Sequence, residues 1–204
     1  MRLPLAPVFW RRLGPAAILS GAALCVSCGH SAPTEFLTLR PIPPQVRSPS
    51  EPGDPVRVTA VRLPPWLDRL EVARPTEGSA VVVEDFERWS APAGDLALAA
   101  LTEDLADRLP GVTVLPASVI APSATRDVAV DVTALTLQGT GLELEGSATV
   151  TDARTGALIL NMPVRLRASA SGGAPGEARA LDELIGELAD RLAPALRAGA
   201  VAGR

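Results

Sequence analysis

The side chains that most often perform chemistry are scarce in this chain. It contains no Lys and no Tyr, a single histidine (His30) and two cysteines, all three near the N-terminus. Schiff-base and phosphate-loop lysines are excluded, and zinc sites built from His and Cys are excluded by count. His30 lies in a segment that reads as a tether, so we assign it no catalytic role. What remains is a group of carboxylates at positions 84, 85 and 87.

This carboxylate cluster, Glu84, Asp85 and Glu87, could supply a general acid and a general base. Strand alternation would instead send Glu84 to the opposite side from Asp85 and Glu87, which predicts a solvated strand end. Arg69 and Arg74 are expected to pair with acidic neighbours. We therefore expect no catalytic residue, no metal site and no cofactor, and a protein that is not an enzyme.

The N-terminal segment has the pattern of a secretory signal. Residues 1–12 carry three Arg and no acidic residue, and residues 13–26 are mostly Ala, Leu, Ile and Gly. The apolar stretch is shorter than the roughly 20 residues that span a bilayer, which favours a cleaved signal peptide over a membrane helix. We expect residues 1–27 to be the signal peptide.

The end of this segment, LCVSCG, resembles a lipobox. Ser27 would precede the cleavage site, and Cys28 would become the lipid-carrying first residue of the mature protein. Cys25 stands where Leu is usual, and an ordinary cleaved signal peptide is the alternative. Lipidation would anchor the protein stably, because each buried methylene contributes about 0.8 kcal/mol. Gly29 in the next position, in place of Asp, favours the outer membrane, with the domain facing the periplasm.

The charge of the mature chain excludes a further class of partner. The full chain has a net charge of −4, and cleavage removes three Arg and no acidic residue, leaving 16 basic and 23 acidic residues, or −7. Nucleic-acid binding requires a basic surface that neutralises phosphates. We therefore expect no nucleic-acid partner.

Hydrophobic periodicity predicts a single domain over residues 35–198. Helices are expected at 95–109, with Asp95 as its cap, and at 177–196, where Pro194 ends or kinks the helix. Alternating or apolar runs predict strands at 35–39, 56–63, 70–73, 79–86, 112–115, 127–137, 142–151 and 157–168.

Particular strands carry further expectations. The strand at 79–86 is expected to be buried because of its three consecutive valines. Alternation in 56–63 places Arg57 and Val61 on one face and Val58 and Arg62 on the other. Residues 152–156 predict a hairpin turn, across which acidic and basic outer faces would pair: Glu143 and Glu145 with Arg165 and Arg167.

The order of elements predicts an α+β fold, with one mostly antiparallel β-sheet and two amphipathic helices packed on one face. Residues 28–34 would form a lipidated tether, residues 40–54 a Pro-rich loop, and residues 199–204 a frayed tail. Trp66 is either an interface anchor or a side chain that covers the edge of the core, and the second interpretation is favoured. Trp89 is expected to fix the start of the first helix to the sheet.

Four features in sequence order resemble one known family. A lipobox cysteine is followed by PTEFLTL at 33–39, VTAVRLPPWLDR at 58–69 and ERWSAP at 87–92, and a strand hairpin with a terminal helix completes the order. These resemble the PqiC-type lipoproteins, auxiliary subunits of ABC-type transporters that work with MCE (mammalian cell entry) proteins. Leu37 and Trp66 depart from the family pattern, in which Tyr is usual.

The resemblance implies a non-enzymatic lipoprotein subunit of an intermembrane lipid transport system. Its partners would be an MCE-family periplasmic tunnel protein with its ABC transporter, the phospholipid membrane through the anchor, and further copies in a homo-oligomeric ring. Partner contact is expected at Trp66, Leu67, Arg69 and Trp89. The alternative is a structural or assembly accessory lipoprotein of the outer membrane that acts with a β-barrel partner.

Overall fold

The computed structural model describes residues 33–46, 48–75, 80–122 and 124–198. Ser27, Cys28 and His30 lie outside the described residues, as do the predicted signal peptide, most of the predicted tether and the predicted tail. Eight strands and two helices follow one another in the described chain: β1 (Glu35–Leu37), β2 (Val56–Arg62), β3 (Glu71–Pro75), β4 (Val81–Trp89), α1 (Ala93–Arg108), β5 (Val114–Leu115), β6 (Arg126–Gln138), β7 (Gly141–Asp152), β8 (Leu158–Ser169) and α2 (Ala174–Ala198).

The described strands form two mixed sheets. A large sheet has the order β5-β2-β6-β7-β8, and a small sheet has the order β1-β4-β3. Pairing is parallel between β1 and β4, β2 and β5, and β2 and β6, and antiparallel elsewhere. The α+β class is confirmed, but the single, mostly antiparallel sheet is wrong in part. The chain leaves β2, builds β3, β4 and α1, and returns to the large sheet at β5 and β6 on either side of β2. Such a crossover gives parallel neighbours.

One face of the large sheet is covered by both helices. α1 contacts β2, and α2 contacts β7 and β8. The inward side chains of the sheet and the leucines of the helices form the main core, which includes Val58, Leu105, Val128, Val130 and Leu192, all at most 1% exposed. Burial on this scale is the dominant stabilising contribution to the fold.

The outer face of the large sheet carries the charge pairs that alternation predicts. The Arg167 guanidinium donates to Glu143 at 2.7 Å, and Arg165 lies 2.6 Å from Glu145. The hydrogen bond from Arg167 holds the pKa of Glu143 below its usual range. The predicted cross-strand pairing is therefore confirmed.

A bulge at Thr59 corrects the predicted alternation of β2. Val58 pairs with Val128 and Ala60 with Ala129, so one extra residue enters β2 between them. Val61 therefore packs against the core, and Arg62 turns outward to Asp131 at 3.0 Å. Alternation without the bulge places these two side chains on the wrong faces.

The described residues of the Pro-rich segment, 40–46 and 48–54, contain neither helix nor strand. Residues 40–44, named here the strap, are nevertheless bound to both helices. The Arg40 N–H donates to Asp182 of α2 at 2.8 Å, and the Ile42 N–H donates to Asp104 of α1 at 2.8 Å. Arg108 Nη1 donates to the Ile42 carbonyl at 2.9 Å. The strap is thus a fixed part of the domain.

The helix ends differ from the predicted ones. α1 begins at Ala93, with Pro92 at the N-cap position and no side-chain cap from that residue, so Asp95 lies in the first turn and is not the cap. α2 continues through Pro194 to residue 198. Pro194 lies on the exposed side of α2, where a carbonyl without its helical partner remains near solvent. No helix among the described residues is long and apolar enough to cross a membrane.

Candidate functional site

Three sequence motifs that are far apart in the chain meet at the end of the small sheet. Leu37 of β1 pairs with Trp89 of β4, and the Ser90 N–H donates to the Leu37 carbonyl at 2.7 Å. The Trp89 N–H donates to the Leu70 carbonyl at 2.6 Å, which joins the second motif to the third. We name this meeting point, formed by Leu37, Leu67, Asp68, Trp89 and Gly94, the motif junction.

Asp68 supplies the cap that α1 lacks locally. The turn after β2 is closed by the N–H groups of Leu67 and Asp68, which donate to the Pro64 carbonyl at 2.8 and 3.1 Å. This turn aims Asp68 Oδ1 at the Gly94 N–H, 3.0 Å away in the first turn of α1. The carboxylate satisfies a donor that the helix leaves free, and its negative charge suits the helix N-terminus. A Cβ at Gly94 would lie 2.9 Å from this oxygen, so any larger residue there makes the Asp68 carboxylate shift.

The four residues predicted to contact a partner fall into two pairs. Leu67 and Trp89 are buried in the motif junction, which agrees with the expected fixing of α1 by Trp89. Trp66 is half-buried against the main core, and Arg69 is exposed and 3.0 Å from Glu71. A direct contact by Leu67 or Trp89 would require the junction to open. Partner contact stays a prediction, and Trp66 and Arg69 are the members of the set that offer it surface.

A small apolar cavity lies beside the junction, between the large sheet and the helices. Its volume is about 30 Å³, and its lining includes Leu39, Leu67, Trp89, Val130 and Leu188. That volume is roughly one water molecule's share of the liquid, far less than an acyl chain occupies. Trp89 Nε1 is buried and has no hydrogen-bond partner among the described residues. In this conformation the interior supports a structural role over lipid storage.

The predicted carboxylate cluster is organised by one guanidinium. Arg74 of β3 contacts Glu84, Glu87 at 3.2 Å and Glu177 of α2 at 2.6 Å. Burial lowers the pKa of Arg74. The hydrogen bond and charge of Glu177 and the charges of Glu84 and Glu87 together outweigh this effect, so the pKa is raised overall. The predicted pairing of Arg74 is confirmed, and the cluster connects the small sheet to α2.

The geometry of β4 explains why the alternation argument fails for this cluster. Between the pairs Glu71–Arg88 and Ala73–Val83, β4 has four residues where β3 has only Val72. The irregular stretch lets Glu84 and Glu87 reach the same guanidinium, although alternation places them on opposite sides. Sequence reasoning also missed Glu177, since nothing in its local pattern indicates a partner about 100 residues away.

A second buried charged group lies under the strap. The Asp104 side chain is fully buried, and its Oδ1 accepts from Ile42 and from Arg108 at 3.1 Å. Burial raises the pKa of Asp104 to about 6, against the opposing effects of these two partners. Arg108 also donates to Asp190 at 2.7 Å. No group of three or more His, Cys, Asp or Glu residues within the described ranges is arranged to hold a metal ion.

Comparison with known proteins identifies the family. Residues 37–193 match the family described as ABC-type transport auxiliary lipoprotein component. The match covers most of the chain, so the chain belongs to this family, and the resemblance drawn from the motifs is confirmed. A search of the curated proteins finds no significant match.

Solved structures share the fold at low sequence identity. A crystal structure of an uncharacterized protein has a TM-score of 0.63 at 17% identity and covers 80% of this chain and 98% of its own. A Xanthomonas campestris protein of the DUF330 family has a TM-score of 0.63 at 15% identity, covering 81% of this chain and 96% of its own. A PelC variant dodecamer from Paraburkholderia phytofirmans, at 17% identity over 74% of this chain and 93% of its own, has a TM-score of 0.42, too low for its assembly to bear on this chain.

Proposed function

We propose that this protein is a non-enzymatic, lipid-anchored subunit of an MCE/ABC-type intermembrane lipid transport system, held at the outer membrane through Cys28 with its domain in the periplasm. The observation that carries the proposal is the family match over residues 37–193, which describes an auxiliary lipoprotein component of ABC-type transport. The MCE tunnel protein and the homo-oligomeric ring enter from the motif resemblance.

The arrangement of charged side chains supports a non-catalytic role. Glu84, Glu87 and Glu177 all pair with Arg74, and Asp104 is enclosed by Arg108 and the strap. A general acid–base pair needs carboxyl groups that reach a substrate, and these carboxyl groups are committed to internal partners. The motif junction likewise uses its polar groups to hold α1 and the two sheets.

The anchor is tested by the intact mass of the mature protein purified from membranes. We expect a polypeptide that begins at Cys28 and carries the mass of the added acyl chains. The Cys28→Ala variant should lack this mass and leave the membrane fraction without detergent. An unmodified mature protein with Cys28 in place would refute the anchor.

The transport assignment is tested by mild crosslinking in cells, followed by purification of the lipidated protein. We expect co-purification of an MCE-family protein together with its ABC transporter subunits. The Trp66→Ala and Arg69→Ala variants should reduce the yield of the partner, while Arg62→Ala, on the outer face of the large sheet, serves as the control. Recovery of an outer-membrane assembly protein in place of the MCE protein would support the accessory role instead.

A further inference from the structure

The small sheet exposes an apolar face where a buried strand was expected. Phe36 is 68% exposed, Val82 is 47% exposed and Phe86 is 46% exposed, and Val81 and Val83 are 37% exposed each. Leu37 and Trp89 are buried and paired, so alternation turns their neighbours Phe36 and Arg88 to the opposite side of the sheet. Phe86 precedes Arg88 by two residues, and Val83 pairs with Ala73 on the side of Glu71 and Arg88, so both share the side of Phe36. Val82 instead pairs with Arg74, which turns toward α2. We name Phe36, Val83 and Phe86 the apolar face. Contiguous exposed apolar side chains of this kind mark a surface that meets another molecule or a membrane.

The length of the chain before the small sheet indicates what this face meets. Six residues lie between Cys28 and Glu35, the first residue of β1, so seven Cα–Cα steps join them. At no more than about 3.5 Å per residue, they span at most roughly 25 Å. If Cys28 carries the lipid, β1 cannot leave the neighbourhood of the bilayer surface.

The opposite end of the domain carries no such constraint. β6 is 13 residues long and joins the two ends of the domain. It begins at Arg126, beside the loop after β5, and ends at Gln138, near the small sheet. Twelve steps of about 3.3 Å place these ends roughly 40 Å apart. Ile120, in the loop after β5, is 93% exposed. This residue is therefore an apolar reference site at the far end of the domain.

We propose that the apolar face of the small sheet lies against the lipid surface and fixes the orientation of the anchored domain. This inference rests on the proposed lipidation of Cys28. The acyl chains supply the affinity, and Phe36, Val83 and Phe86 enter the boundary between headgroups and acyl chains, as apolar side chains of interfacial proteins do. Arg88 is exposed on the same side, beside its strand partner Glu71, and supplies the positive charge that lipid phosphates attract.

The orientation is measured by site-directed spin labelling of the lipidated mature protein in phosphatidylethanolamine–phosphatidylglycerol vesicles. Because the mature chain has only Cys28, whose sulfur carries the lipid, each introduced Cys is the only free thiol. We compare how often each nitroxide collides with oxygen and with an aqueous nickel chelate. The ratio of oxygen to nickel collisions should be several-fold higher for nitroxides at Phe86→Cys and Val83→Cys than for a nitroxide at Ile120→Cys. Two labelled positions in the apolar face keep the test valid if one variant misfolds.

A second arm removes the face without removing the anchor. The double variant Phe36→Gln, Phe86→Gln should stay bound to vesicles, while a label at position 83 becomes accessible to the nickel chelate. Ile120→Gln is the matched control and should leave that label in the lipid environment. Equal aqueous exposure of labels at both ends of the domain would overturn the inference. So would labels at 83 and 86 shielded from both reagents, since that pattern indicates a protein occupant, either another copy or a partner.

Failure of the anchor gives a different result. In that case the parent protein lacks the acylated mass and does not float with vesicles at all. A parent protein that floats and carries the acyl mass, combined with aqueous labels at positions 83 and 86, overturns the orientation and leaves the anchor intact.

Discussion

The two sheets place similar valine-rich strands in opposite environments. In the large sheet, Val58 and Val130 are buried beneath the helices, whereas residues 81–83 of the small sheet are exposed. The residue type and the preference for extended backbone are the same in both. The difference lies in the layer above the strand, because α1 and α2 cover the large sheet. An apolar run therefore predicts a strand, but the neighbouring layer decides whether the strand is buried.

The largest effect is expected where the large sheet has no room for one methyl group. A Cβ at Gly146 would lie 2.2 Å from the Asp131 carbonyl oxygen, opposite the bulge in β6. We expect Gly146→Ala to lower the free energy of unfolding by more than about 3 kcal/mol, because the backbone of β6 must move. Urea denaturation measures this. Val82→Ile, which adds a methyl group to the exposed strand, should change stability by less than about 0.5 kcal/mol. Equal losses would mean that the small sheet is as tightly packed as the large one.

Burial raises the pKa of Asp104 to about 6. We therefore expect the contribution of Asp104 to the free energy of unfolding to change with pH by as much as about 3 kcal/mol. Between pH 4 and 6 the folded protein binds more protons at this carboxyl than the unfolded chain does. The free energy of unfolding contributed by Asp104 therefore falls as the pH rises through this range, and it is constant above it.

The Asp104→Asn variant isolates this contribution. Its stability relative to the parent should increase from pH 4 to pH 7, as measured by urea denaturation at each pH. Glu71, Glu143 and Asp152, whose pKa values are lowered, and Asp182, whose pKa is raised, titrate in both proteins and cancel in the difference. A constant difference across the range would show that Asp104 is not shielded from water by the strap.

The same truncation in each sheet gives the most direct test of the comparison. Val130→Ala removes apolar groups that are 1% exposed and should destabilise the protein by about 2 kcal/mol. Val82→Ala removes groups that are largely in contact with solvent and should cost less than about 0.5 kcal/mol. Both values come from urea denaturation of the unlipidated domain. A large loss for Val82→Ala would show that a protein layer covers this part of the small sheet.

The smallest effect is expected at the connection between the small sheet and α2. Arg74→Gln leaves Glu84, Glu87 and Glu177 without their shared cation, and we expect a loss of about 1 kcal/mol because the group is only half-buried. The loss should shrink in high salt, which screens the remaining carboxylates. Arg69→Gln breaks an exposed pair and should cost less than about 0.5 kcal/mol. Identical values for the two variants would contradict a linking role for Arg74.

Local patterns in the sequence account for much of the fold. Alternation defines the long strands and predicts the pairs of Glu143 with Arg167 and Glu145 with Arg165, because opposed residues across a hairpin follow from the turn. The same pattern contains no information on which distant strands become neighbours. The division into two sheets and the parallel pairing of β2 with β6 therefore lay beyond it.

The site was predicted less completely than the fold, for a related reason. The motifs drew attention to Trp66, Leu67 and Trp89, but the structure shows that their meeting depends on Asp68 and Gly94, which are 26 residues apart. Arg74 and Glu177 are 103 residues apart. Such contacts depend on how the sheets and helices pack, and neither periodicity nor spacing encodes that arrangement.

The strap also has a mechanical consequence. Tension applied to the chain ahead of residue 35 first loads β1, which is held to β4 by three residue pairs. Only after β1 detaches does the force reach the strap, where the Arg40 and Ile42 N–H groups are bound to Asp182 and Asp104 on two different helices. The small sheet thus yields before the main core does. If the proposed anchor holds the domain from this end, the domain can lose one strand under load while the large sheet and both helices stay folded.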